Sequence, residues 1–183
     1  MIKKITAFLL IFLNFYLTSY SLEAGVKYSD MRAKIEAFKD VQKKIDKDLF
    51  KKYKKDKNKD ENISLIEKNI LNTKGRQLYP FYYKKTLIAY AIMYDKKEFW
   101  VFYYNILGNL IKVDIQENSN KFPTRTLSYT RFGNLAGVVF SVSEDEQFIY
   151  NKNAKLIAHW IGNDLYNKDN LNFKFLKIKR GLK

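Results

Sequence analysis

One short phrase occurs three times in the middle of this chain and limits the folds open to it. It reads Tyr-x-x-x-Gly-x-Leu and occupies residues 104–110, 129–135 and 150–156, with Ala in place of Gly in the third copy. A shortened copy begins at Tyr83, so successive tyrosines are 21, 25 and 21 residues apart. A nearly constant period is typical of repeat proteins, in which each unit buries its apolar face against the next.

The residues around each copy alternate as they do in β-strands, whose side chains point to opposite faces in turn. After each turn, one set of alternate residues is apolar except for His159. We predict that this set faces the core and is buried. This set is Ile111, Val113, Ile115, Ala136, Val138, Phe140, Ile157, His159 and Ile161. The other set is mixed and is predicted to be half-solvated. It is Leu110, Lys112, Asp114, Leu135, Gly137, Val139, Leu156, Ala158 and Trp160.

Each unit is therefore predicted to be a two-stranded hairpin, and the units together an antiparallel meander. The strands are expected near residues 78–83, 87–94, 98–104, 109–115, 125–130, 135–142, 147–150 and 155–161. Gly108 and Gly133 can adopt the positive φ that short hairpin turns require. Since alanine adopts it at a cost, we expect Asn153, beside Ala154, to take that conformation in the third turn.

With Tyr, Gly and Leu at hairpin spacing, the stretch from about 79 to 166 resembles the MORN-variant repeats of YwqK-type antitoxin-like proteins. It is also similar to the YD repeats of Rhs-type secreted proteins. The copies at Tyr83 and Tyr150 depart from the pattern, because both lack the glycine. The resemblance implies a repeat sheet used for binding, and it transfers no catalytic residue to this chain.

The N-terminus has the order of a secretory signal peptide. Two lysines precede an apolar run over residues 5–17, and small residues fit a cleavage site before Leu22. The run is short for a membrane span. We therefore expect residues 1–21 to be a signal peptide and the protein to be secreted or periplasmic, with an uncleaved anchor as the alternative.

Residues 22–75 are predicted to be a helical segment. From about Ser29 to Lys57, apolar residues recur every three or four positions and form one stripe, and Ser29 or Asp30 can cap its start. The stripe is Met31, Ile35, Phe38, Val41, Ile45, Leu49 and Tyr53. A second short helix is expected over residues 63–71. We favour packing of the stripe on the sheet over a partner helix or coiled coil.

Residues 76–183 are predicted to be the β-hairpin repeat sheet, ending in an edge strand over residues 171–178 and a basic tail. The formal charge is +15, or +13 without the predicted signal peptide, and it favours an anionic partner. Asn, Ile, Phe and Tyr are also abundant, and A/T-rich coding sequence produces this combination, together with many lysines, by mutation bias alone. The positive charge is therefore a weaker indication of an anionic partner than its size suggests. A protein or an anionic envelope polymer is expected as partner, and nucleic acid is disfavoured. Membrane contact is expected only through an uncleaved N-terminus or a basic surface, and the oligomeric state stays open.

No catalytic, metal or cofactor site is predicted. The chain has no cysteine, which excludes thiolate ligands, a cysteine nucleophile and a lipidated cysteine anchor. His159, the single histidine, is expected to be half-buried and bonded to a neighbour, because no motif places a nucleophile beside it. The acidic run at residues 144–146 lacks the ligand spacing and glycine of a calcium loop.

The chain is therefore predicted to be α+β: an N-terminal amphipathic helix or helix pair followed by an antiparallel β-meander of hairpin repeats. Its expected function is that of a secreted or periplasmic, non-enzymatic binding protein of the bacterial envelope. The residues proposed for the exposed binding face are Tyr103, Lys112, Tyr129 and Trp160. A small outer-membrane β-barrel is the main alternative, because about eight strands and many aromatic residues also fit it. An envelope hydrolase that uses His159 is a weaker one.

Overall fold

The computed structural model describes residues 29–97, 99–117, 121–162 and 164–166. The predicted signal peptide, the edge strand over residues 171–178 and the basic tail lie outside these residues. Short helices precede an antiparallel sheet, so the coarse prediction of helix followed by a β-meander is confirmed.

Ten strands occur in the described residues, and their order in the sheet is their order in the chain. The sheet is open, with β1 and β10 at the two ends of this order. The eight predicted strands are all present, and none of their ends differs by more than two residues. The strands are β1 (Asn72–Thr73), β2 (Arg76–Tyr83), β3 (Thr86–Tyr94), β4 (Trp100–Asn105), β5 (Leu110–Glu117), β6 (Thr124–Thr130), β7 (Leu135–Ser141), β8 (Glu146–Asn151), β9 (Leu156–Ile161) and β10 (Asp164–Tyr166).

The chain divides into two compact units. One consists of Gln42–Glu117 and Leu127–Ala136, and it contains β1 to β5 together with the turns that follow β4 and β6. The other contains residues 29–41, most of β7, and β8 to β10.

The prediction of one helix from residue 29 to residue 57 is wrong. The structure has α1 (Asp30–Phe38), a 3₁₀ helix (Lys47–Tyr53) and α2 (Lys59–Glu67), and a second 3₁₀ turn (Asp95–Lys97) follows β3. Of the two candidate caps, Ser29 caps α1: its Oγ accepts the Arg32 N–H over 3.3 Å. The helix ends before Asp40, whose φ is 55°.

The predicted apolar stripe is also wrong at its start. Met31 and Ile35 are 74% and 62% exposed, whereas Ala33 and Ala37 are fully buried. Since alanine is small, this face of α1 can come close to β8, and the Phe38 ring meets the Tyr150 ring edge to face at 5.7 Å. The helix therefore packs through Ala33, Ala37 and Phe38 rather than through Met31 and Ile35.

The expected half-solvated face of the sheet is buried in the structure. Lys112 and Asp114 are buried, whereas Ile111, which was expected to be buried, is 47% exposed. A β-bulge explains Ile111: Tyr103 pairs with Lys112 but Tyr104 pairs with Leu110, so Ile111 is an extra residue without a partner in β4. Lys112 and Asp114 keep regular pairing with Tyr103 and Val101, which are also buried, so this face of the sheet is covered as well. The same shift occurs between β8 and β9 and leaves Ile157 as the extra residue. Each bulge interrupts the alternation on which the prediction depended.

Candidate functional site

The turns of the three phrases are built by the same hydrogen bonds. The polar residue directly after each tyrosine accepts, through its side-chain oxygen, the backbone N–H groups two and four residues later. For Asn105 these bonds measure 3.0 and 2.9 Å, for Thr130 both 3.3 Å, and for Asn151 2.9 and 3.0 Å. The sequence analysis missed these three residues, although the position after tyrosine is Asn or Thr in every copy.

The same scheme decides which residue takes the left-handed conformation. It falls on the fourth residue after each tyrosine, with φ of 75° at Gly108, 80° at Gly133 and 57° at Ala154. The prediction that Asn153 would take it is wrong. Because the Asn151 side chain accepts the Asn153 N–H, the turn keeps its geometry in the third copy, and Ala154 adopts the positive φ at a cost of about 1–2 kcal/mol.

The segment from residue 43 to residue 59, here called the strap, crosses two of these turns. The Ile45 N–H donates to the Gly133 carbonyl over 2.8 Å, and the Leu135 N–H donates to the Lys43 carbonyl over 2.9 Å. Lys44 thereby forms an antiparallel bridge with Asn134.

Eleven residues later the strap repeats this contact on the preceding turn. The Asp56 N–H donates to the Gly108 carbonyl over 2.8 Å, and the Leu110 N–H donates to the Lys54 carbonyl over 3.0 Å. Lys55 is bridged to Asn109 as Lys44 is to Asn134. The two crossings are therefore equivalent, and both lie in the compact unit that begins at Gln42.

The strap explains why the first two turns contain glycine. A Cβ atom on Gly133 would overlap the Ile45 carbonyl oxygen, and one on Gly108 would lie 3.2 Å from the side chain of Lys59. Among the described residues, no backbone hydrogen bond joins the strap to the third turn, where Ala154 stands. A Cβ atom is therefore excluded at Gly133 and crowded at Gly108.

Polar side chains hold both ends of the strap. The Tyr129 hydroxyl donates to the carbonyl of Gln42, just before the strap begins, over 3.0 Å. At the other end, Asp56 accepts bonds from the Tyr90 hydroxyl over 2.7 Å and from Asn62 Nδ2 over 2.8 Å. Burial, together with the bond to Asp56, raises the pKa of Tyr90, so this donor keeps its proton.

Apolar contacts hold the middle of the strap. Phe50 is fully buried and meets the Trp100 ring at 6.1 Å, and the Tyr53 ring stacks on the Phe102 ring at 4.1 Å. The 3₁₀ helix is therefore fixed on the sheet between the two crossings.

The outer side of the strap is strongly basic. Its 17 residues include nine lysines and three aspartates, a net charge of +6. Eight lysines are exposed, and none of these eight forms an ion pair with a carboxylate in the described part of the chain. They are Lys43, Lys44, Lys47, Lys51, Lys52, Lys54, Lys55 and Lys57.

A hollow of about 390 Å³ lies at the Gly133 crossing, lined by Lys44, Ile45, Asp46, Lys47, Phe132 and Asn134. Arg131 is exposed beside it, with its guanidinium 4.6 Å from the centre of the Phe132 ring. The hollow therefore combines positive charge with an exposed aromatic ring. Such a surface can attract an anion and also contact its less polar parts.

The four residues that were predicted to lie on an exposed binding face are all buried. The prediction that they are exposed is therefore wrong. Tyr103, Lys112, Tyr129 and Trp160 are each at most 6% exposed. Tyr129 instead holds Gln42, and Trp160 pairs with Gln147 inside the sheet. Lys112 is buried because its face of the sheet is covered, as the burial of its partner Tyr103 also shows.

Tyr103 and Lys112 do meet, but in a buried ionic cluster. Lys112 Nζ lies 2.8 and 2.7 Å from the two carboxylate oxygens of Asp114 and 3.9 Å from the centre of the Tyr103 ring. The Ser128 hydroxyl donates to Asp114 over 2.6 Å. Burial lowers the pKa of Lys112, and the neighbouring Asp114 opposes this shift. The arrangement is that of a buried ion pair whose carboxylate is satisfied by hydrogen bonds.

His159 is half-buried and bonded to a neighbour, as predicted. Its Nε2 lies 3.0 Å from a Glu146 carboxylate oxygen, and its ring stacks on Phe148 at 3.9 Å. In the described residues, no three carboxylate or imidazole side chains are placed so that together they could hold a metal ion. None of the described helices is long and apolar enough to cross a membrane.

Comparison of the chain with known protein families, curated proteins and solved structures finds no match.

Proposed function

We propose that this chain is a secreted or periplasmic, non-enzymatic binding protein of the bacterial envelope, and that its ligand is an anionic polymer. The observation that carries the proposal is the strap, which presents eight exposed lysines while its backbone is bonded to the sheet at two turns. Charges on a fixed backbone can bind a polyanion with a smaller loss of conformational freedom than charges on a loose chain.

The proposal includes the finer description of the fold. The meander is a hairpin-repeat sheet of the kind that the MORN-variant resemblance implies. Support comes from the shared turn hydrogen bonds of Asn105, Thr130 and Asn151, which are equivalent in all three copies. In this description the turns, rather than the sheet face, form the binding surface.

The test of the binding surface is a charge-neutralised variant. Replacing Lys43, Lys44, Lys54 and Lys55 by Gln is expected to weaken binding of long-chain polyphosphate on the order of tenfold or more. The estimate follows because each exposed ion pair contributes about 0.2–1 kcal/mol. Isothermal titration calorimetry at several salt concentrations measures the loss, which is expected to shrink at high salt.

A matched control removes the same charge elsewhere. Lys68, Lys74, Lys121 and Lys152 are also exposed, and none of them lies in the strap. Their replacement by Gln is expected to leave most of the affinity intact. If both variants lose affinity equally, binding follows net charge, and the strap is not the site. Cell fractionation with N-terminal sequencing tests export, with a mature start at Leu22 expected.

A further inference from the structure

We infer that the anionic polymer lies across the strands, along the row of turns, and bridges two equivalent cationic subsites that the strap forms at its two crossings. This inference rests on the proposed function and adds the direction in which the ligand lies and a minimum ligand length. The first subsite consists of Lys54 and Lys55 at the turn between β4 and β5. The second consists of Lys44, Lys47 and Arg131 at the turn between β6 and β7.

The two subsites are equivalent because the same backbone contact creates both. In each, a strap lysine is bridged to the residue after the turn glycine, Lys55 to Asn109 and Lys44 to Asn134. In each, a further exposed lysine lies near the bridged one. At the first, it is Lys54, whose carbonyl accepts the Leu110 N–H, whereas the Lys59 ammonium is paired with Asp60 over 2.8 Å. At the second, Lys44 and Lys47 line the hollow next to Phe132.

The distance between the subsites follows from the sheet. The β4–β5 and β6–β7 turns are two strands apart in the strand order. Neighbouring strands are about 4.8 Å apart, so the crossings are separated by roughly 10 Å. The Arg131 N–H donates to the Ile111 carbonyl over 3.2 Å, which places the second turn directly beside β5.

The strap holds this separation constant. Phe50 and Tyr53 pack on Trp100 and Phe102 between the two crossings, so one subsite cannot move far without the other. A ligand that reaches both subsites binds the second one intramolecularly. It thereby gains affinity without any further contact, whereas a ligand shorter than the separation occupies the subsites independently.

Calorimetric titrations of the full-length chain with pyrophosphate and with long-chain polyphosphate test the inference. Two double variants each neutralise one subsite, K54Q/K55Q for the first and K44Q/K47Q for the second. The double variant K68Q/K74Q removes the same charge from exposed positions outside the strap and is the control. Circular dichroism and urea unfolding check that each variant is folded.

The expected result depends on ligand length. Pyrophosphate is expected to occupy two sites per chain in the wild type and one in either subsite variant, with unchanged affinity for the remaining site. Long-chain polyphosphate is expected to lose affinity by more than tenfold in either subsite variant, because bridging is lost. The control is expected to behave as the wild type with both ligands.

Three outcomes overturn the inference. If either subsite variant weakens both ligands by the same factor, the strap binds polyanions without bridging, and the proposed function survives alone. If neither variant differs from the control, the proposed function fails as well. If vesicles of anionic phospholipid bind and polyphosphate does not, the exposed turn residues Leu107 and Phe132 contact a lipid surface instead.

Discussion

The carbonyl oxygen of Ile45 occupies the place where a Cβ atom on Gly133 would stand, and the Ile45 N–H donates to the Gly133 carbonyl over 2.8 Å. These residues are far apart in the chain, and their contact joins the strap to a repeat turn. The glycine therefore serves two purposes. It adopts the positive φ that the turn requires, and it leaves room for a second backbone.

Replacing Gly133 by Ala is expected to destabilise the protein by about 2–4 kcal/mol. A positive φ costs a non-glycine residue roughly 1–2 kcal/mol, and forcing the strap away adds about 1–2 kcal/mol. Gly75→Ala is the control, because Gly75 also has a positive φ but has no neighbouring atom within 4 Å of the added Cβ. Urea unfolding measures the loss of stability in both variants. Equal losses in Gly133→Ala and Gly75→Ala would show that the strap moves away from the added Cβ atom at no cost in free energy.

Replacing Asn151 by Ala is expected to destabilise the protein by about 0.5–2 kcal/mol. The side chain accepts the N–H groups of Asn153 and Lys155, and its loss removes the bonds that keep Ala154 at positive φ. Asn153→Ala is the matched control, since Asn153 contributes its backbone N–H to this turn. Thermal unfolding of the two variants tests the prediction, and a larger loss in Asn153→Ala would contradict it.

Replacing Lys112 by Met is expected to destabilise the protein by about 3–5 kcal/mol, because the Asp114 carboxylate stays buried without its cation. The double variant Lys112→Met/Asp114→Leu is expected to recover much of that loss, since a buried ion pair is often no more stable than apolar residues of similar volume. Urea unfolding of the single and double variants measures the recovery. A double variant less stable than the single one would contradict the prediction.

Stability is expected to fall as the pH rises above about 10. Burial raises the pKa of Tyr90, Tyr104 and Tyr150 above the ordinary tyrosine value, so these residues stay protonated in the folded chain while they ionise in the unfolded one. Above pH 10 the folded state therefore binds more protons than the unfolded state, and each of these tyrosines lowers the free energy of unfolding by about 1.4 kcal/mol per pH unit. Below pH 10 the stabilising contribution of the three tyrosines is fully present.

Urea unfolding at several alkaline pH values tests this expectation. Tyr90→Phe removes one of the three groups, so its stability is expected to fall less steeply with pH than that of the wild type. An equal slope in the two proteins would show that Tyr90 ionises alike in the folded and unfolded states.

Much of the fold could be predicted because its signals are local. Alternation and the Tyr-x-x-x-Gly-x-Leu phrase located eight strands to within two residues of each end, and Ser29 was one of the two candidate caps of α1. The burial of individual residues was predicted less accurately than the positions of the strands. One extra residue at Ile111 changes the alternation in β5, and nothing in the local pattern distinguishes a bulged strand from a regular one.

The candidate site was predictable only in part. The excess of lysine between residues 43 and 59 was visible, but its apolar residues fit a helical period, so the segment was predicted to be helical. It does not form one continuous helix, because its backbone forms hydrogen bonds with the turn residues Gly108 and Gly133 instead. Tertiary hydrogen bonds of this kind override the weak preference of a short segment for helix.

By itself, the amino-acid sequence determined the strand periodicity, the positions of the turns and the positive charge, because each depends on neighbouring residues. The tertiary structure alone decided where that charge is displayed. It places Lys44 beside Asn134 and Lys55 beside Asn109, residues more than fifty positions apart in the chain. The physical reason is that the N–H and C=O groups of the turns are the same for every residue type, so the side chains do not reveal which distant backbone will bind them.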